Sequence, residues 1–386
     1  MERWVSTWGN AEAPAVVSEC ITIKDTTLRY NVPIMVSGSK VRLLFSNKFG
    51  AEKLVLDRVT LGKNSIGSAE ATTRDEVIVD FKKVTFGGKK KAKIGAGESL
   101  WSDEIDYEVK KGDFLAVSIY IKDERTFSTA TSVAGRYSYG NFVRGNGVTT
   151  ETFPLYVSRD TATTAFLYGV DVLVEDEDSS SIVCFGDSIT AQFWPDELAY
   201  LLLNSDKNIG VVRKGIGGNR ILRTYKHFAN LHYGEAGVLR IDSDLDKVSG
   251  AKAVVVLHGI NDIIHPDGST YRPLEELPTA EEIINAYEEK YIASAKRHGL
   301  KIYFATILPF KGWHSYCQER EDIRTAVNNW IKTTDKIDGY IDFASVVKSE
   351  EDETMIIPSL TGDHLHPNPT GAKRMAKIAY EVLFSE

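Results

Sequence analysis

The chain has 386 residues, 42% of them hydrophobic, and a formal charge of -8. Its length exceeds one average core and its apolar content is ample for burial, which excludes extensive disorder and predicts two domains. The acidic balance and the lack of a long Lys/Arg block argue against a nucleic-acid partner.

At the start, Met1-Glu2-Arg3-Trp4-Val5-Ser6-Thr7-Trp8 lacks the apolar core of a leader, and no later stretch reaches about 18 uninterrupted apolar residues. A cytoplasmic protein with no membrane partner is therefore expected. Cys20, Cys184 and Cys317 are odd in number and far apart, so they predict reduced thiols and no disulfide framework.

From about Ile21 to Leu173, short alternating or apolar runs are separated by turn residues, as in Lys40 to Phe45, Val77 to Phe81 and Phe114 to Ile121. Glycine turns recur at Gly87-Gly88, with Lys89-Lys90-Lys91 as a charged hairpin end, and at Gly95-Ala96-Gly97. This pattern predicts an antiparallel β-sandwich of jelly-roll type. All eight histidines lie at or after His227, so this half offers no imidazole base or histidine metal ligand. Binding, packing or assembly is its expected role.

The acidic, Ser-rich stretch from Glu175 to Ser181 is too polar to pack and marks a boundary, giving domains 1–178 and 179–386. Beyond it, strand-like and helix-like runs alternate. Strands are predicted at Ile182 to Phe185, Ile209 to Val212, Ala253 to Leu257, Lys301 to Ile307 and Gly339 to Phe343. Helices are predicted at Pro195 to Leu203, Ala280 to His298, Gln318 to Lys332 and Pro369 to Phe384, with a polar segment reaching Leu245. A three-layer α/β/α domain around a five-stranded parallel sheet follows.

Two segments carry chemistry. The run Val183-Cys184-Phe185 ends in Gly186-Asp187-Ser188, which would present a serine hydroxyl at the carboxyl edge of a buried strand, where open α/β sheets bind ligands. Serine is a weak nucleophile at neutral pH and needs a base, and the base needs an acceptor that sets its tautomer. In Asp363-His364-Leu365-His366-Pro367, His366 can serve as base and Asp363 as its acceptor; the plainer alternative is a capped helix-entry loop. An acyl-transfer site must also hold an oxyanion. Candidate donors are the backbone N–H groups of Ser188 and Gly218, in Gly215-Ile216-Gly217-Gly218-Asn219-Arg220, and the carboxamide of Asn261, in Gly259-Ile260-Asn261-Asp262. Asp187 would support the nucleophile turn.

Other chemistries fit less well. Gly215-x-Gly217 opens like a dinucleotide fingerprint, but Arg220 occupies the position that wants glycine. Asp363, His364 and His366 lack the further ligands of a zinc motif, so no metal is expected. Trp194, His258 and Trp313 are candidate substrate-binding residues, each with packing as the alternative.

In this order, Gly-Asp-Ser, Gly218, Gly-x-Asn-Asp and Asp-x-x-His-Pro resemble the four sequence blocks of the SGNH (GDSL-type) hydrolases. Gly215 to Leu222, Tyr303 to Phe310 and Gly362 to Ala376 resemble a bacterial branch described as xylanase-operon esterases. Ser6-Thr7-Trp8-Gly9, Thr27-Leu28-Arg29, Val41-Arg42-Leu43 with Phe45-Ser46-Asn47, and Val84-Thr85-Phe86-Gly87 are similar to the β-sandwich fused ahead of that branch. Cys184 departs from the pattern, standing where an aliphatic residue is common. The resemblance implies a carboxylic ester hydrolase with the roles named above, no cofactor, and a small-molecule or oligosaccharide ester carrying a short acyl group. Homo-oligomerisation stays open. Acyl transfer with the same residues, or an inactive carbohydrate-binding or assembly protein, are the alternatives.

Overall fold

A computed structural model describes residues 1–15, 22–66, 76–138, 140–153 and 161–384; Cys20 lies outside them. The chain divides into two compact units, one of Met1–Ser181, Leu202–Val212 and Val248–Gly250, the other of Ile182–Leu201, Arg213–Lys247 and Ala251–Glu386.

The first unit is rich in antiparallel sheet. One set of strands runs in the order Ile105–Val109, Gly38–Ser46, Leu167–Val174 and Arg3–Gly9, and a second runs Gly140–Arg144, Thr26–Pro33, Phe114–Ile121, Arg58–Asn64 and Ile78–Lys83. In Ile105–Val109 the odd residues are buried and the even ones exposed, the two-residue period of a strand with one face in a core. The Gly87-Gly88 hairpin forms as its sequence predicts. Phe86 pairs with Lys89, and the Asp103 carboxylate accepts from both glycine N–H groups. Asp171, fully buried, accepts from Ser6, Arg42 and Ser249, so its charge is paired.

A further set of strands runs in the order Ile209–Gly215, Ser180–Gly186, Ala251–Leu257, Lys301–Ala305 and Gly339–Ile341. The last three pair in parallel. In chain order this is 2-1-3-4-5, so the strand order reverses beside Ser180–Gly186, the strand that leads into Ser188. Such a switch point opens a crevice at the carboxyl ends of its strands.

Helices follow at Trp194–Leu203, Gly237–Leu245, Gln318–Thr333 and Pro369–Phe384. The helix predicted from Ala280 is continuous to Arg297 but π-wound over Tyr287–Ile292. Two expectations need correction. The polar segment before Leu245 contains the helix Gly237–Leu245, whose inward side carries a charged pair, Arg240 and Asp244. The last strand stops at Ile341, because Asp342 caps a short helix, Phe343–Val347, by accepting from the Ser345 N–H.

Candidate functional site

The strands Ser180–Gly186, Ile209–Gly215 and Ala251–Leu257 are each followed by a predicted motif. After Ser180–Gly186, Asp187 caps the turn that begins at Ser188, its Oδ1 accepting from Ile189 N–H at 3.0 Å. The half-buried Ser188 presents its Oγ 2.8 Å from His366 Nε2, and His366 Nδ1 lies 2.6 Å from Asp363 Oδ2. A carboxylate only accepts, so Nδ1 carries the proton and Nε2 is free to accept from the serine hydroxyl. The other Asp363 oxygen accepts from the backbone N–H groups of His366 (2.8 Å) and Leu365 (3.0 Å). Partial burial pushes the Asp363 carboxyl up, but the bonds from the His366 ring and from these N–H groups outweigh it and hold the group well below the usual carboxylate range.

Beyond Ile209–Gly215, Gly218 adopts φ +71°, and a Cβ there would lie 2.3 Å from the Tyr233 ring. Both facts demand glycine. Its neighbour Asn219 is buried: the carboxamide donates to Tyr233 O and Glu235 O, and its Oδ1 accepts from Arg240 Nε at 3.0 Å. Following Ala251–Leu257, Asn261 is 2% exposed and donates one N–H to the Asn219 carbonyl at 3.0 Å. Asp262 accepts from Ile221 N–H (2.7 Å) and Leu222 N–H (3.0 Å), tying the third motif to the second. Burial raises Asp262 to about 6 and Asp187 to about 7.

The structure therefore brings Ser188, His366 and Asp363 into one hydrogen-bonded line, and links the Gly218 loop to Asn261 through Asn219 and Asp262. Trp313, half-buried, stands edge-on to the His366 ring at a centroid separation of 6.4 Å. Trp194 and His258 are corrected: each is 1% exposed and offers no face to a substrate. Trp194 packs edge-on against Phe343, and its indole N–H reaches Thr190 Oγ1. The His258 ring bonds to Tyr291 and to the Asn219 carbonyl.

Sequence reasoning missed Arg240, Asn219 and Asp262. Arg240, over the Phe185 ring, donates to Gly186 O, Lys214 O and Asn219 Oδ1, so one guanidinium ties the carboxyl ends of two strands to the Gly218 loop. Nothing in its local sequence marks it. Asn219 stands directly beside Gly218, and Asp262 closes the Gly-x-Asn-Asp motif itself, positions that could have flagged them. Cys184 is buried and Cys317 exposed, both free. Among the described residues no group of three or more His, Cys, Asp or Glu is arranged around a metal position, and no helix is long and apolar enough to cross a membrane.

No curated protein matches the chain. Among solved structures, it is similar to the acetylxylan esterase Axe2 from Geobacillus stearothermophilus (18% identity, 55% of this chain and 98% of the other, TM-score 0.41). It is also similar to a GDSL-like lipase from Bacteroides thetaiotaomicron (18% identity, 53% and 87%, TM-score 0.35). The family profile described as GDSL-like Lipase/Acylhydrolase matches residues 182–379, more than half of the chain and the span that carries all four motifs. On that match the chain belongs to the GDSL-like lipase/acylhydrolase family, a family of carboxylic ester hydrolases.

Proposed function

We propose that the chain removes acetyl or other short acyl groups from carbohydrate or small-molecule esters through an acyl-serine intermediate. The carrying observation is the alignment of Ser188 Oγ, His366 and Asp363 at 2.8 and 2.6 Å. His366 Nε2 takes the hydroxyl proton as Ser188 attacks the ester carbonyl, and Asp363 stabilises the imidazolium that forms. The backbone N–H groups of Ser188 and Gly218 and the second N–H of Asn261 meet the developing oxyanion. His366 returns the proton to the departing alcohol, and water then enters by the same route to release the acid. All these groups come from the chain itself, so the chemistry calls for no cofactor.

Tyr233 supports a short acyl group, because its ring crowds the space beside Gly218. Trp313, edge-on to the base, supports a sugar on the alcohol side. A product assay across acetylated xylan fragments, other acetylated sugars and acyl esters of increasing chain length tests the proposal. Acetate release from sugars at rates above those for long-chain esters is expected; preference for long acyl chains would overturn it.

A further inference from the structure

We infer that His258 is a positioning residue, clamped by two tyrosines of the π-wound turn, that holds the Asn219 carbonyl and through it the Asn261 carboxamide in register for the oxyanion; this rests on the ester-hydrolase reading above. His258 follows the strand Ala251–Leu257 and precedes Gly259-Ile260-Asn261, so it sits at the root of the loop that delivers the carboxamide.

Its ring makes two bonds of opposite sense. Nε2 lies 3.2 Å from the Asn219 carbonyl oxygen and Nδ1 lies 2.8 Å from the Tyr291 hydroxyl. A carbonyl can only accept, so Nε2 carries the proton. Burial, reinforced by nearby Arg240, holds the ring well below the ordinary histidine range and hence neutral, so Nδ1 is an acceptor and Tyr291 donates to it. Tyr291 thus selects the tautomer that lets His258 donate to Asn219.

Tyr287, four residues earlier, donates to the backbone carbonyl of His258 at 2.5 Å. Both tyrosines lie in the π-wound stretch Tyr287–Ile292. A π turn holds one more residue than an α turn and changes the angle at which a side chain leaves the helix, a device found often at functional sites. Here it delivers two hydroxyls to one histidine. Close approach is built in from the other side as well: a Cβ on Gly237 would stand 1.9 Å from the Tyr291 hydroxyl and 2.7 Å from His258 Cε1.

The Asn219 carbonyl accepts from His258 and, at 3.0 Å, from Asn261 Nδ2. With His258 on one lone pair, Asn261 commits one N–H to the other, and that bond orients its second N–H toward the substrate. Without the histidine donor, the carbonyl can turn and take the carboxamide with it.

The test compares His258→Leu, His258→Gln and Tyr291→Phe with the wild-type chain in p-nitrophenyl acetate hydrolysis. It is joined by ¹⁵N NMR of the His258 ring in the wild type at neutral pH. A glutamine places its Nε2–H₂ near the histidine Nε2, so it keeps the donor that leucine removes. His258→Leu is expected to lower kcat about tenfold or more with KM within about twofold, and less than the ~10²- to 10³-fold typical of deleting an oxyanion donor itself. His258→Gln recovers most of the loss, Tyr291→Phe falls between, and the ring is neutral with its proton on Nε2. Equal losses for Leu and Gln, a Leu variant with wild-type kcat, or a proton on Nδ1 would each overturn the inference while the wild type still turns over ester. A wild type with no esterase activity would remove the functional reading and the inference together. The NMR measurement decides the tautomer even where a variant fails to fold.

Discussion

Ser188 Oγ stands 2.8 Å from His366 Nε2 although 178 positions of chain separate them. Ser188→Ala and His366→Ala are each expected to lower kcat for p-nitrophenyl acetate by roughly 10⁴-fold or more, since the members of such a unit fail together. A fluorophosphonate should label Ser188, read by peptide mapping. Label on any other serine would remove it as nucleophile.

Asp363→Asn keeps the shape of the turn, with a carbonyl still able to accept from the Leu365 and His366 N–H groups. What it loses is the charge that sets the imidazole tautomer. A fall in kcat of about 10⁴-fold with unchanged circular dichroism is expected. Because Asp363 is held well below the usual carboxylate range, it stays ionised through the acid limb of wild-type activity. A pH–rate profile should therefore show no inflection from this carboxylate in the ordinary carboxylate range.

Gly218→Ala puts a Cβ at φ +71° and within 2.3 Å of the Tyr233 ring. Strain and overpacking together predict a stability loss of about 1 to 3 kcal/mol in urea denaturation. Since the displaced N–H is a proposed oxyanion donor, kcat should fall as well. A variant with wild-type stability and activity would show that the loop is free to move aside.

Asp187 is fully buried, and its Oδ2 has no partner among the described residues. Burial raises its pKa to about 7, above the unfolded value near 3.9, so the native state keeps a proton that the unfolded chain releases. The associated stability is complete below about pH 4 and is lost as pH rises through about 7. Asp262, raised to about 6, acts with the same sign. Asp363 acts with the opposite sign, its contribution being lost as pH falls below the ordinary carboxylate range. Asp187→Asn keeps a carbonyl for the Ile189 N–H and removes the titration. Unfolding free energies at about pH 5 and about pH 8 should thus differ less in the variant than in the wild type. An unchanged difference would mean that Asp187 is ionised throughout.

Ser188 and Asn261 were legible because each follows a continuous apolar run, Val183-Cys184-Phe185 before Ser188 and Ala253 to Leu257 before Asn261. Such runs identify buried parallel strands, and the polar turn after each falls at their carboxyl ends. Support behind those turns was not legible. Arg240 and Asp244 face inward as a buried pair, and a charged pair on the core side breaks the apolar period by which a helix is recognised. His258 and Trp194 look like pocket residues in one dimension because they adjoin motif loops. In the fold they point into packing, His258 to two neighbours that its own sequence context does not name. The strand Arg3–Gly9 went unread because it lies ahead of the alternating region, although it pairs with Leu167–Val174 far along the chain.

Asp363 and His366 lie three residues apart in a single turn, where side-chain and backbone bonds between them reinforce one another. Imidazole and carboxylate therefore form a preassembled cartridge, coupled to the hydroxyl by one gap spanned only by tertiary structure. A change that displaced this turn as a body would part the imidazole from the hydroxyl while leaving the carboxylate on the imidazole. Activity therefore hangs on that one gap, and the bonds within the turn do nothing to hold it closed.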